Sequence, residues 1–408
     1  MKTNRNYPLL LASQFLSAFG DNAILILILG PLMASFSQGK ITGQEQSVAN
    51  IFFTSLLFVP YVLFAPLAGY LNDRFSKTFL LIGGNGVKLF GSIVTAIGIS
   101  LGGIWHGFGY FLVGVGACLY SPAKYGILPE ILPRERLVKA NGTVELLTLV
   151  AILGGSIVGS LLVDRVPLGV GYTIIIGIYG ASMLLNFFME RTPSHPEIRA
   201  RGSVAEFGRN LTGIFSDKRL ARIIIGTSLF WICGAMMKMN FQPWGQQVLR
   251  LKTMTQINLL GLWLSIGVMI GSVLAGKFYH TGDLHATRRY GWLLAVTISL
   301  LGAANWFLTH GSIPMRPFVI TVLIVAGIIA GLFLIPLNAA LQAESHQDKL
   351  GKTIATQNLF ENVAMLAGSV FAFANVKVGF DPSQLFLGLA LLVAVVVVFL
   401  KIPATKIA

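Results

Sequence analysis

The sequence predicts an all-α membrane protein with twelve transmembrane helices in two pseudo-symmetric six-helix bundles. Composition is the first reason. Of 408 residues, 54% are hydrophobic and 11% charged, where a soluble domain carries about 25% charged residues. The second is run length: the apolar stretches are long and continuous, unlike the roughly ten-residue alternation of a membrane barrel. The third is that one long polar interruption separates six such stretches from six more.

Each stretch is long enough for a hydrocarbon core of about 30 Å. Span 1 (8–34) lies in an apolar run too long for a signal-peptide core and lacks a small-residue cleavage site after it, so it is expected to stay as a helix. Span 2 (50–72) leads into a charged hairpin. Span 3 (78–102) carries Gly83, Gly84 and Lys88, and span 4 (107–128) carries Gly114, Gly116, Pro122 and Lys124. Span 5 (139–163) holds Asn141, Glu145 and Thr148 on one face, with Gly154, Gly155 and Gly159 read as close helix contacts. Span 6 (170–190) closes the first half. The interruption, 191–218, begins Arg191-Thr192-Pro193-Ser194-His195-Pro196 and is arginine-rich, with a short interfacial helix expected around Val204–Phe215. Spans 7 (219–249), 8 (256–277), 9 (289–308), 10 (317–340), 11 (353–376) and 12 (382–402) follow. The domains are therefore expected at 1–190, 191–218 as cytoplasmic linker, and 219–408.

Charge fixes the expected orientation. Of 30 Lys and Arg, 22 fall in the termini and the loops after even-numbered spans, and 6 in the loops after odd-numbered spans. Positive charge marks the cytoplasmic side, so both termini are expected there. The net charge of +14 is thus a topology signal and not a nucleic-acid footprint. Cys118 and Cys233 lie in apolar runs, so no disulfide, metal site or cofactor is expected.

Asp21 sits near the middle of span 1, where a carboxylate costs about 2.5–3.5 kcal/mol even on lenient insertion scales. Gln14, Ser17 and Asp21 share one helical face, with Asn22 beside it. Such a stripe predicts a polar interior, against the blander alternative of a carboxylate that only joins helices. Lys238, deep in span 7 between two methionines, needs an anion for the same reason. Glu145 on span 5 and Gln357, Asn358, Glu361 and Asn362 on span 11 form further polar faces, which serve either ligand binding or packing.

The halves echo one another. Pro122 is followed eight residues later by Glu130 and then by Glu145; Pro336 is followed eight residues later by Glu344 and then by Glu361. Weak repeats of this kind build transporters with a site near mid-membrane.

Gly69-Tyr70-Leu71-Asn72-Asp73-Arg74-Phe75-Ser76-Lys77-Thr78, between spans 2 and 3, resembles the signature hairpin of the major facilitator superfamily. Asn72 and Ser76 depart from its commonest form. The resemblance implies a gating latch made by Asp73, Arg74 and Lys77; the second half keeps only Gly276-Lys277-Phe278 in the matching place. Gln14–Asn22 (QFLSAFGDN), Tyr120–Leu128 (YSPAKYGIL), Lys139–Glu145 (KANGTVE), Leu229–Lys238 (LFWICGAMMK), Ile335–Leu341 (IPLNAAL) and Gln357–Asn362 (QNLFEN) together resemble the bacterial lysophospholipid transporters of that superfamily. That resemblance covers nearly the whole chain. It implies movement of lysophospholipid, of the lyso-phosphatidylethanolamine type, from the outer to the inner leaflet of the bacterial inner membrane. A partner acyltransferase would reacylate the lipid there, and the transporter would act as a monomer among membrane lipids. The substrate-binding set would be Asp21, Asn22, Lys124, Glu145, Lys238, Asn338, Gln357, Glu361 and Asn362. In this fold spans 1 and 7 both line the cavity, so Lys238 is expected to meet Asp21 or a lipid phosphate. The single acyl chain is expected to leave through a lateral opening flanked by Ala65, Leu67, Val273, Leu274, Ala275 and Met365.

There are three rival readings. One is a non-transporting receptor, which leaflet-resolved lipid uptake would separate; the other two follow from particular residues. In a proton-coupled exporter of drugs or small solutes, Asp21 or Glu145 would carry the proton. An embedded acyltransferase would need a His-x4-Asp arrangement, and none of the six histidines sits in one.

Overall fold

The structure, a computed structural model, describes residues 5–133, 137–198, 202, 208–209, 211–213, 215–279, 284–304, 306, 315–344 and 350–403. Among them the chain forms helices and no strand. In order these are α1 (Asn6–Ser37), α2 (Gly43–Ser55), α3 (Val59–Leu63), α4 (Ala65–Arg74), α5 (Lys77–Leu101), α6 (Gly103–Gly126), α7 (Leu128–Ile131), α8 (Leu137–Arg165) and α9 (Leu168–Phe187). After the polar interruption come α10 (Lys218–Gln247), α11 (Met254–Phe278), α12 (Thr287–Gly302), α13 (Met315–Glu344), α14 (Leu350–Val378) and α15 (Pro382–Phe399). The expected interfacial helix at Val204–Phe215 lies largely outside the described residues.

Ten helices among the described residues are long and apolar enough to cross a membrane: α1, α5, α6, α8, α9, α10, α11, α13, α14 and α15. They correspond to spans 1, 3 to 8 and 10 to 12. Span 2 departs from the expected single helix and is built from α2, α3 and α4. Pro60 and Pro66 sit in the first turns of α3 and α4, where a missing N–H is tolerated but an unbroken helix is not. Span 9 is represented by α12, 16 residues long.

The chain divides into two compact units. One comprises Met1–Ala34, Phe53–Phe207 and Thr253–Thr255; the other comprises Ser35–Phe52, Gly208–Lys252 and Gln256–Ala408. In the first unit α5 and α6 run side by side because glycines let their backbones touch. A Cβ on Gly84 would stand 2.9 Å from the carbonyl oxygen of Gly116, and one on Gly91 2.7 Å from that of Gly109. Gly155 and Gly159 bring α8 against Phe19 and Ala23 of α1 in the same way, as expected of them, whereas Gly83 faces open space. Leu10, Leu81, Tyr120, Ile127, Leu128 and Val144 form the core beside these crossings. The second unit repeats the device: Gly267 and Gly271 of α11 lie on the backbone of α13 near Gly327 and Gly331. Trp244 of α10 is fully buried, edge-on to Phe386 at 5.1 Å.

Both units leave large apolar side chains bare, such as Ile104 at 81% and Val273 at 61% exposure. So much open apolar surface suits lipid and not water. Ala275, expected beside Val273 at a lateral opening, is only 1% exposed.

Candidate functional site

Asp21 anchors a buried polar network in the first unit. Its Oδ2 lies 2.6 Å from Lys88 Nζ of α5, and its Oδ1 accepts a hydrogen bond from the Tyr179 hydroxyl of α9 at 2.9 Å. Lys88 also donates to Ser17 Oγ at 2.9 Å, and its ammonium lies 5.3 Å from the centre of the Tyr120 ring. Ser17 donates to Asn85 Oδ1 at 2.8 Å. Asn85 in turn donates to Ser182 Oγ at 2.8 Å and to Asn186 Oδ1 at 2.7 Å. Asn186 donates to Ser13 Oγ at 2.9 Å, and the Ser13 and Tyr120 hydroxyls are hydrogen-bonded at 3.1 Å. Four helices thus meet through side chains in an apolar setting. Each polar group there has a partner because an unpaired one costs several kcal/mol in hydrocarbon.

The stripe expected on span 1 is therefore real but forked. Ser13, Ser17 and Asp21 face α5 and α9. Gln14 turns the other way: its Oε1 accepts from Thr148 Oγ1 at 3.1 Å, and Thr148 Oγ1 accepts from Lys124 Nζ at 3.2 Å. Lys124 lies 4.8 Å from the ring centre of Tyr125 and is buried. Asn22 is buried and donates to Ala18 of its own helix at 2.9 Å. The side chains of Glu145 and Asn141 lie outside the described residues.

Lys88, for which the sequence analysis names no role, pairs with Asp21. Tyr179, Ser182, Asn186 and Asn85 were likewise not singled out. Residues 179, 182 and 186 follow the same i, i+3, i+7 spacing that marks span 1, and that spacing was the available signal.

The hairpin between α4 and α5 is fastened to its own unit. Ser76 caps α5, accepting from the Phe79 amide at 3.3 Å. The Lys77 amide donates to Thr192 Oγ1 at 2.9 Å, and the His195 amide donates to the Arg74 carbonyl at 2.8 Å. The Lys77 ammonium meets the Asn72 carbonyl and lies 3.7 Å from Glu130. Arg74 bonds the Tyr70 hydroxyl and stands over the rings of Tyr70 and Phe75. Asp73 is exposed.

In the second unit, Gln357 Nε2 donates to Asn338 Oδ1 at 2.9 Å and to Glu361 Oε1 at 2.8 Å. Three expected site residues on α13 and α14 are thus brought together, with Glu361 only 6% exposed. Asn362 points elsewhere and bonds the Asn358 carbonyl of its own helix at 2.8 Å. Lys238 is half-buried on α10. No set of three or more His, Cys, Asp or Glu that could hold a metal occurs among the described residues.

The family model of the Major Facilitator Superfamily matches residues 10–369. The lysophospholipid transporter LplT of Photorhabdus laumondii is 34% identical over 402 residues, covering 98% of this chain and 95% of that one. The chain belongs to the lysophospholipid transporter branch of the Major Facilitator Superfamily. The protein of the same name from Yersinia pestis is also 34% identical, over 89% of this chain and 85% of its own. Among solved structures, a POT family transporter bound to 5-aminolevulinic acid superposes with a TM-score of 0.76 at 13% identity, covering 97% of this chain and 95% of that one. The human organic anion transporter MFSD10 does so with 0.70 at 16%, covering 98% and 100%. At that identity the superpositions show the fold. Relatives and structural neighbours alike are transporters, and this superfamily member is a transporter and not an enzyme.

Proposed function

We propose that the protein moves lysophospholipids, of the lyso-phosphatidylethanolamine type, from the outer to the inner leaflet of the bacterial inner membrane. It works by alternating access with a lateral opening for the acyl chain, and it supplies a membrane acyltransferase that restores the second chain. The observation that carries this reading is 34% identity, over 98% of the chain, to a protein named as a lysophospholipid transporter. Physical chemistry supports it from two sides. A zwitterionic headgroup carries an ammonium and a phosphate, and charged groups of both signs, the part-buried Asp21 and buried Glu361 together with buried Lys124 and Lys88, lie within otherwise apolar helices. An acyl chain is best kept among apolar groups, since each CH₂ exposed to water costs about 0.8 kcal/mol.

The test uses liposomes containing only this protein and labelled lipids whose leaflet is read by quenching. Lyso-phosphatidylethanolamine should cross at a rate proportional to protein content, with the diacyl lipid far slower. Equal rates for the two lipids, or none for the lyso form, would overturn the proposal. Transport of a water-soluble solute that depends on a proton gradient would favour the exporter instead.

A further inference from the structure

The Asp21–Lys88 pair is asymmetric in a way that bears on headgroup charge. Lys88's side chain is 3% exposed and Asp21's is 13%, so the lysine stands behind the carboxylate. Lys88 is also held in place. Its stem passes so close to Gly116 that a Cβ there would meet Lys88 Cγ at 2.6 Å. Its ammonium donates to Asp21 and Ser17 and faces the Tyr120 ring, which occupies its three N–H groups. Asp21 is less used up. A carboxylate offers about four lone-pair directions, and Lys88 and Tyr179 take two of them.

We propose that Lys88 is the positioning residue that sets headgroup selectivity: by cancelling the charge of Asp21 from behind, it presents the lipid with a charge-balanced carboxylate that binds by hydrogen bonding. Zwitterionic and anionic lysophospholipids are then accepted alike. Without Lys88 the site would carry a bare negative charge, which repels an anionic headgroup and spares a zwitterionic one. A plain helix-joining pair has no such dependence on headgroup charge. The inference rests on the reading that Asp21 faces the headgroup of a transported lysophospholipid.

The test compares lyso-phosphatidylethanolamine, which is zwitterionic, with lyso-phosphatidylglycerol, which is anionic. Full-length protein is used both in liposomes, for leaflet-resolved uptake, and in neutral detergent, for calorimetric binding. Lys88→Met should lower the ratio of phosphatidylglycerol-type to phosphatidylethanolamine-type handling about tenfold, the factor unit charges roughly 12 Å apart give at an effective dielectric of about 20. Asp21→Asn leaves an uncancelled positive charge and should shift the ratio the opposite way. The double variant, neutral again, should return to the wild-type ratio even if its overall rate is lower. Loss of both lipids in equal proportion in either single variant would overturn the proposal, because a purely structural pair predicts that. If Lys88→Met does not fold, the sign of the Asp21→Asn shift decides. Binding with unmoved ratios defeats the role of Lys88 alone, whereas a wild-type protein that neither binds nor moves either lipid defeats the transport reading and this inference together.

Discussion

Asn85 of α5 joins α1 to α9 without carrying a charge. It has no exposed surface, accepts from Ser17 of α1, and donates to Ser182 and Asn186 of α9. Replacing it with Ala strands a hydroxyl donor and two acceptors among fully buried side chains. Each buried orphan costs about 1–3 kcal/mol by general experience, although couplings measured within bilayers average nearer 0.6 kcal/mol. Asn85→Ala should therefore lower the thermal midpoint of the purified protein by several degrees; an unchanged midpoint would mean the network is slack. The same neighbourhood shows how far single residues could be read from the sequence. Helical periodicity placed Ser17 and Asp21 on one face correctly, because that is a property of one helix. It could not show that Lys88 of α5 and Tyr179 of α9 face them, because that depends on how helices are arranged around one another. Gln14 illustrates the boundary: it shares the predicted stripe yet turns to Thr148 of α8.

At the scale of elements, backbone contact decides which helices pair. The glycines of spans 3 to 5 were legible as packing residues, and six of the seven singled out do pack within 4 Å of a neighbour. Gly155 has the least room, since a Cβ there would collide with the Phe19 carbonyl, which no rotamer change relieves. Gly155→Leu should separate α8 from α1 and sharply reduce folded yield in membranes, whereas Gly83→Leu, facing open space, should be tolerated. The break of span 2 was less legible, although Pro60 and Pro66 stand in plain view. A hydropathy window averages over 19 residues or so and smooths across short breaks. The hairpin that follows is more firmly tied than its charges alone implied, with Lys77 held through both its amide and its ammonium. Asp73 is exposed at its tip. Asp73→Asn should slow transport while leaving lipid affinity nearly unchanged, as gating residues do. Equal losses of rate and affinity would instead place Asp73 in binding.

At the scale of the whole molecule, the internal repeat is visible in chemistry as well as in sequence. Each unit uses the glutamate eight residues after its helix-kinking proline to hold a cation from a distant helix: Lys77 of α5 on Glu130, and Arg219 of α10 on Glu344. The two pairs differ in strength, and geometry says which is stronger. Arg219 Nε and Nη2 meet the two oxygens of Glu344 at 2.7 Å each, the planar fork that makes guanidinium–carboxylate pairs strong. Arg219 also binds the Pro403 carbonyl, and Arg222 binds that of Lys401, so the chain's last described residues are tied to α10. Lys77 and Glu130 stand 3.7 Å apart, beyond a good hydrogen bond, and Lys77 divides itself with the Asn72 carbonyl. Both pairs are only partly covered, so solvent weakens each of them. Glu344→Gln should cost about 1–3 kcal/mol, and Glu130→Gln less than about 1 kcal/mol, read as thermal midpoints in one detergent. Arg219→Lys should lose much of what Glu344→Gln loses, because an ammonium cannot reproduce the fork. If Glu130→Gln proves the costlier of the two, net burial and not two-pronged geometry governs these pairs.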